Sequence, residues 1–501
     1  MELIALLSIF VPFIGTLFIF VLPQLRIEST LEVNGGVASY AYKDNNNLVR
    51  SLCQFGAGIA TLLSVLLAFQ FYSSGMVPIT IDIVSLGNTL LFGLVIDKVS
   101  TLILVAVVAI GFVVVMYSQA YMSQDNKEHA QVATPRYYAF LLAFIGAMAG
   151  VVLSSTILGQ LLFFEITGAC SWALISYYQT NKAGSSALKA LVVTHIGSLG
   201  LFIAAASLFV STGTFELAAI AKLSPEMKVF VLFGILFAAW AKSAQLPLHM
   251  WLPDAMNAPT PISAYLHAAS MVKVGVYIFA RAILGADGVP EVVAYIGIFG
   301  ATVTMLYGFL MYLPQKDMKR LLAYSTIAQL AYIFLALSVA ALGSDLAFES
   351  AVTYIFNHAF AKCLLFLIAG ALSYACGTRM LNEIRGLLKG SPVLAVGFCI
   401  GAMTIAGVPP LAVFFSKFPM FMAGFSLIDT HPILAAILGI ALIESLGTFA
   451  WLLYWFGKTV IGEPSENVSS MMPLPMVMKT TLIALMVMCF LSSFIASSWL
   501  S

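Results

Sequence analysis

Apolar residues in this chain come in runs of about twenty, the length a helix needs to cross a bilayer, and short polar stretches part them. Fourteen runs follow one another, at about 2–22, 52–72, 100–121, 138–155, 157–178, 185–211, 228–248, 262–284, 290–312, 320–342, 347–374, 392–426, 433–457 and 476–499. The first begins at Glu2, with no basic segment before it and no small-residue cleavage site, so it reads as a span rather than a signal peptide. Residues 77–98 (VPITIDIVSLGNTLLFGLVIDK) read as a surface-lying segment, a hairpin by their alternation. The pattern predicts an all-α polytopic membrane protein of about fourteen transmembrane helices. Residues 1–136 form three N-terminal spans with the surface segment, and 458–501 hold a C-terminal span.

Composition agrees. Of 501 residues 61% are apolar and 9% charged, against about 45–50% and 25% in ordinary globular chains, and the mean hydropathy is +1.01. A net charge of +1 leaves no basic surface for nucleic acid. Six scattered cysteines without a CxxC pair read as small buried hydrophobes, which leaves any redox centre to a partner. The longest loops, around 23–51 and 456–475, are too short to hold a core. No catalytic triad, phosphate loop, metal-ligand cluster or dinucleotide fingerprint appears, so bond-making chemistry is not expected of this chain.

Lysines and arginines orient the spans. One set of alternate loops holds fifteen, Arg26, Lys43, Lys189, Lys319 and Arg379 among them, while the other holds Lys98, Lys222, Lys228 and Arg281. The richer set faces the cytoplasm by the positive-inside rule, which puts both termini outside.

Four cations remain inside apolar runs: Lys242, Lys273, Lys362 and Lys417. Each costs about 2.5–3.5 kcal/mol at the bilayer centre on insertion scales, so the set calls for a purpose, and intramembrane ionisable groups mark ion paths. Snorkelling from a helix end is the bland alternative, weakest for Lys273 with apolar residues on both sides. Removal from water disfavours the charged amine and a nearby carboxylate restores it, so moving the carboxylate switches the lysine between holding and releasing a proton. Glu165, in LLFFEITGACSWALISYY, is the acid nearest the middle of the early spans and the expected partner of Lys242. His358 and Lys362 lie four apart, on one helix face, as a relay step. His267 precedes Lys273 by six and so faces a neighbouring helix. His195 reads either as a relay member or as a neutral ring bonded to a carbonyl, and Glu444 as a relay member or a protonated packing carboxylate.

Helix breaks cluster in two places. Span seven ends in KSAQLPLHMWLPDAMNAPTP, with Pro247, Pro253, Pro259 and Pro261; span twelve carries GVPPLAVFFSKFPMF, with Pro409, Pro410 and Pro419. Each break lies a few residues from a buried lysine, and the two spans are five apart, as inverted repeats of spans 4–8 (137–284) and 9–13 (285–457) require. Asp254 reads as a cap for the stretch after Pro253 or as a polar gate.

These stretches, above all WLPDAM followed by PTPISAYLHAASMVK, together with FFEITGACSWALISYY, NHAFAKCLLFLIAGAL and GVPPLAVFFSK, resemble the antiporter-like subunits of respiratory complex I, Mrp cation/proton antiporters and energy-converting hydrogenases. The likeness extends from about residue 90 and is nearest the component D branch of hydrogenase-4, in the formate hydrogenlyase group. It implies two inverted five-helix repeats with broken helices 7 and 12. It makes Glu165 and Lys242 a pair, Lys273 a connecting lysine, His358 and Lys362 members of a central hydrophilic axis, and Lys417 the terminal lysine of the second half. It further implies proton movement (sodium is the alternative) across a bacterial cytoplasmic membrane. The driving force would be electron transfer through nickel–iron and iron–sulfur centres on partner hydrogenase and membrane-arm subunits. The family's long lateral helix is not expected here, and the likeness assigns nothing to Glu444 or His195.

Overall fold

The computed structural model describes residues 1–25, 31–34, 37–40 and 46–501; Arg26 and Lys43, counted above among the loop cations, lie outside them. In chain order the elements are α1 (Glu2–Leu25), β1 (Leu31–Asn34), β2 (Val37–Tyr40), α2 (Asn46–Ser73), β3 (Ile79–Leu86), β4 (Thr89–Ile96), α3 (Lys98–Tyr121), α4 (Pro135–Leu153), α5 (Ile157–Ile175) and α6 (Asn181–Thr212). There follow α7 (Pro225–Lys242), α8 (Trp251–Asp254), α9 (Thr260–Ala268), α10 (Met271–Ala286), α11 (Glu291–Tyr312), α12 (Met318–Ala340) and α13 (Asp345–Cys376). The last are α14 (Leu387–Gly390), α15 (Pro392–Ala406), α16 (Phe414–Ser426), α17 (Ile433–Val460), α18 (Glu466–Ser469) and α19 (Met476–Leu500).

Among the described residues twelve helices, with α9 and α10 taken together, are long and apolar enough to cross a membrane. The other two predicted spans are the interrupted ones: α7 has only 18 residues, and α15 and α16 share a crossing. The helices start where the sequence supplies caps. Asp97 and Ser100 form a capping box on α3, and Thr156, Thr180 and Ser224 accept from backbone N–H groups at the starts of α5, α6 and α7. The predicted surface hairpin is present: β3 and β4 pair antiparallel, and β4 turns its buried residues to the bundle.

Burial sorts the helices. The apolar stretches of α12 and α13 are buried all round, while those of α1, α2 and α17 turn most of their residues outward. A helix enclosed by others must give every polar side chain a protein partner, because neither lipid nor bulk water can. The loops fall on two faces as the alternate sorting requires. On the basic face Arg379 bonds Glu128 and Asp317, and Lys127 donates to Ser470. Burial disfavours the Arg379 cation, but its two carboxylate partners outweigh this and hold it even more firmly protonated than usual. On the other face Lys98 donates to the carbonyls of Leu500 and Ser501.

Four expectations need correction. Span eight is not one helix: it breaks at Ala269–Ser270, where the Ala269 and Ser270 N–H groups and the Ser270 hydroxyl all turn to the Tyr265 carbonyl. No proline marks this break, so nothing in the run of apolar residues announces it. Lys319 is not a surface cation; it is 1% exposed, with its amine on the carbonyls of Met256 and Ala258. Arg281 is likewise buried, paired with Asp97. Asp254 makes no side-chain cap; its carboxylate takes the Lys189 amine at 2.6 Å on the exposed rim, where a long flexible cation reaches it first.

Candidate functional site: a buried polar axis

At the first break α7 stops at Lys242 and the backbone groups it frees are taken up locally. The Trp251 indole donates to Ala241, the Gln245 amide to Ser243, and Leu246 N–H to the Thr304 hydroxyl. Pro247 lies in this stretch, Pro253 inside the short α8 that follows. Gly275 lets α10 close on α7 here: a Cβ on it would meet the Ala239 carbonyl at 2.2 Å. The Lys242 amine donates to the Phe164 carbonyl at 2.8 Å and sits over the Phe164 ring. It does not reach the carboxylate of Glu165, one residue on. Glu165 instead meets His195 of α6, its Oε2 3.2 Å from Nδ1, on the outer wall of the bundle. The two side chains are 31% and 58% exposed, while Oε1 of Glu165 is buried and no hydrogen bond joins the carboxylate to Lys242.

The centre joins the halves. Ser243, beside Lys242, donates to the Val272 carbonyl, beside Lys273. The Lys273 amine then lies 2.8 Å from Nδ1 of His358 on α13, both groups fully enclosed. His358 and Lys362 share a helix but do not bond each other; Lys362 donates to the Ser325 hydroxyl at 2.8 Å and to the Leu322 carbonyl. His267 does serve a neighbouring helix: its Nδ1 is 3.1 Å from the Thr326 hydroxyl. The His358 ring packs edge-on against that of Tyr354, whose hydroxyl bonds Gln329 and whose ring lies beside that of Tyr332.

At the second break, between α15 and α16, Gly407 takes a left-handed backbone that Pro409 and Pro410 follow. Asn357, next to His358, donates to the freed Ala412 carbonyl and to Ser416, tying the break to the central helix. The Lys417 amine donates to Ser445 at 3.1 Å and lies over the Tyr332 ring. Glu444, 1% exposed, accepts from Tyr332 and from Thr448, each at 2.6 Å.

All four buried lysines thus contact polar groups of other helices or of the far side of a break, and none reaches the surface. Along the line, buried polar atoms recur that have no protein partner among the described residues: Glu165 Oε1, Nε2 of His267 and His358, Asn357 Oδ1 and Gln329 Nε2. Sequence reasoning passes over Tyr332, Tyr354, Gln329, Ser325 and Lys319. The first four are uncharged and common in apolar helices. Lys319 is readable only in the spacing LPQKDMKRLL, where one of three cations turns inward.

A family model described as NADH:quinone oxidoreductase/Mrp antiporter, TM, matches residues 154–444. One described as NADH-Ubiquinone oxidoreductase (complex I), chain 5 N-terminus, matches 84–131. The chain is 34% identical over 433 residues to NADH-quinone oxidoreductase subunit L of Escherichia coli, covering 83% of this chain and 68% of that one. It is 36% identical over 417 residues to an Na(+)/H(+) antiporter subunit of Alkalihalophilus pseudofirmus, covering 78% and 50%. Its fold is similar to a chain of the Mrp complex from Dietzia sp. (TM-score 0.80, 27% identity, 97% and 50% covered). It is equally similar to a chain of an archaeal membrane-bound sulfane sulfur reductase (TM-score 0.82, 25% identity, 99% and 95% covered). The chain spans about half the length of several curated relatives, 55% of the chloroplast NAD(P)H-quinone oxidoreductase subunit 5 of Lemna minor, for example. Broken helices, enclosed lysines and these matches converge: the chain is a multi-pass membrane protein of the NADH:quinone oxidoreductase/Mrp antiporter family.

Proposed function

We propose that this chain moves protons across the bacterial cytoplasmic membrane as one subunit of a redox-driven complex, along the axis from Glu165 and Lys242 through Lys273, His358 and Lys362 to Lys417. The observation that carries this is the Lys273–His358 contact, 2.8 Å long and sealed in the centre of the bundle between two broken spans. Two proton-exchanging groups in hydrogen-bond contact form a relay, and a scaffold gains nothing from the cost of inserting them. Water bridging the unpartnered atoms would complete the route. Residues 137–284 and 285–457 are read as inverted repeats, and the basic face as cytoplasmic, which leaves both termini outside.

The sequence likeness to the hydrogenase-4 branch leads us to name a nickel–iron hydrogenase with iron–sulfur subunits as the partner. The 36% identity to an Na(+)/H(+) antiporter subunit supports a second reading, in which the chain serves a sodium/proton antiporter with no redox partner. Affinity purification of the tagged complex separates them, since nickel and iron–sulfur subunits in the eluate exclude the second. Sealed vesicles holding the complex test translocation itself: Lys242→Ala and Glu165→Ala are expected to abolish coupled proton uptake while assembly persists. Wild-type uptake in both variants overturns the proposal.

A further inference from the structure

Glu444 lies outside the line of lysines, and its surroundings give it a use. It sits near the middle of α17, and the side chains bonded to it run to one end of the bundle. Oε1 accepts from Thr448, one turn nearer the basic face. The Thr448 hydroxyl is in turn bonded to that of Tyr312, the last residue of α11, which ends on the same face. Pro314 and Lys316, just beyond, are exposed. On its other side Oε2 meets the Tyr332 hydroxyl, whose ring carries the Lys417 amine 4.4 Å above its centre. Lys417 also donates to Ser445, the next residue after Glu444.

The Tyr332 hydroxyl has one proton and two acceptors, Glu444 Oε2 at 2.6 Å and the Ala441 carbonyl at 2.5 Å. With Glu444 ionised, that proton points to the carboxylate. With Glu444 protonated on Oε1, the carboxyl O–H donates to Thr448, whose own proton turns to Tyr312, while Oε2 still accepts from Tyr332, which also has the Ala441 carbonyl within reach. Both states leave every group satisfied, so the site holds Glu444 with or without its proton and without rearranging the backbone.

We infer that Glu444 is the proton-exchanging counter-charge of Lys417 and that Tyr312 and Thr448 connect it to the basic face, giving the second half of the molecule a port of its own. Tyr312 is itself 2% exposed, so the transfer begins with a water that enters past the exposed Pro314 and Lys316 and gives Tyr312 a proton, and Tyr312 passes its own to Thr448. Thr448 passes its hydroxyl proton to Oε1, and once Glu444 has given that proton up, rotation of the two hydroxyls resets the chain. A neutral Glu444 no longer holds the Lys417 charge, so filling this port favours release from the lysine. The inference rests on the axis proposed above and assigns it a residue and an entrance that the lysine pattern does not contain.

The test is proton uptake per turnover by the intact complex in sealed vesicles. Glu444→Gln keeps the size of the group but cannot exchange a proton, and uptake is expected to fall roughly tenfold or more, as loss of one proton-transfer group entails. Glu444→Asp should recover part of it, which a packing role would not produce. Thr448→Val leaves the carboxylate and its Tyr332 contact intact and serves if Glu444→Gln fails to assemble; uptake is expected to fall there too. Wild-type uptake in Glu444→Gln, beside loss of uptake in Lys417→Ala, overturns the role of Glu444. Wild-type uptake in Thr448→Val overturns the route to the basic face. Wild-type uptake in Lys242→Ala and Lys417→Ala instead brings down the translocation axis itself.

Discussion

The two broken spans place a lysine beside an acid in opposite settings. At the first, Lys242 is enclosed but Glu165 stands in the outer wall, its side chain 31% exposed beside a histidine more exposed still. At the second, Lys417 and Glu444 are both enclosed, and each carboxylate oxygen of Glu444 has a hydroxyl donor. An acid in the wall of a membrane bundle answers to whatever covers that wall, whereas an enclosed acid answers only to its own chain. The first half thus has its acid partly open at the outer wall, and the second has its acid inside the bundle, bonded through Thr448 to Tyr312. Among the bonds that join the two halves, the Lys273–His358 contact links a lysine of one to a histidine of the other.

The largest expected effect comes from cutting that contact. His358→Leu removes the acceptor of the Lys273 amine and, among the described residues, the one bond by which α10 passes a proton-exchanging group to α13. Coupled uptake in vesicles should fall by about two powers of ten, the scale of one general acid–base group. A loss confined to a few-fold would mean that the halves communicate elsewhere, and the comparison of two separate settings would lose its hinge.

The settings themselves separate through stability. Glu444→Leu removes two buried hydrogen bonds, from Tyr332 and from Thr448, each worth about 0.5–1.5 kcal/mol net, although Tyr332 keeps the Ala441 carbonyl and Thr448 keeps Tyr312. Glu165→Leu removes a half-exposed acid whose pairing with His195 is worth at most about 1 kcal/mol once solvent screening is allowed for. Thermal unfolding of the purified subunit in detergent should therefore show a clear drop for the first and little change for the second. Equal drops would mean that the outer wall is no more open than the core.

How the breaks are held gives a smaller contrast. Gly275→Val drives a side chain into the Ala239 carbonyl, which belongs to backbone and cannot step aside. Overpacking of that kind costs about 1–3 kcal/mol and pushes α10 off the end of α7. At Gly407 an added Cβ meets only the flexible Lys417 side chain at 3.1 Å, and the left-handed backbone adds strain of about 1 kcal/mol. Denaturation midpoints should rank Gly275→Val below Gly407→Ala.

How much of this can be read from the chain follows from what each residue type costs in lipid. The spans, the two proline-marked breaks and the four lysines are legible because a long apolar run has few alternative uses and a cation within it is expensive. Partners are less legible. Glu165 pairs with Lys242 on the sequence because both are charged, yet the amine settles on the Phe164 carbonyl one residue earlier. A carbonyl freed by helix packing carries no mark in the sequence. The break in span eight stays hidden because a serine hydroxyl, not a proline, supports it. Tyr332, Tyr354 and Gln329 escape notice because a hydroxyl or amide enters a membrane helix cheaply enough to need no purpose. Lys319 counts as a surface cation on the sequence because a loop lysine and an inward one read alike until the turn between them is known.

The smallest effect is expected at Asp254, which borders the first break without entering it. Its carboxylate bonds Lys189 at 2.6 Å, and both side chains are more than a third exposed. Such pairs contribute about 0–1 kcal/mol because water screens the attraction and two side chains are immobilised to form it. Asp254→Asn keeps an acceptor for the amine and should change the unfolding midpoint within that range, with proton uptake at the wild-type level. A large loss of uptake would restore the reading of Asp254 as a polar gate. It would also extend the functional part of the first half from the enclosed lysine out to the rim of the basic face, where the second half already has Tyr312.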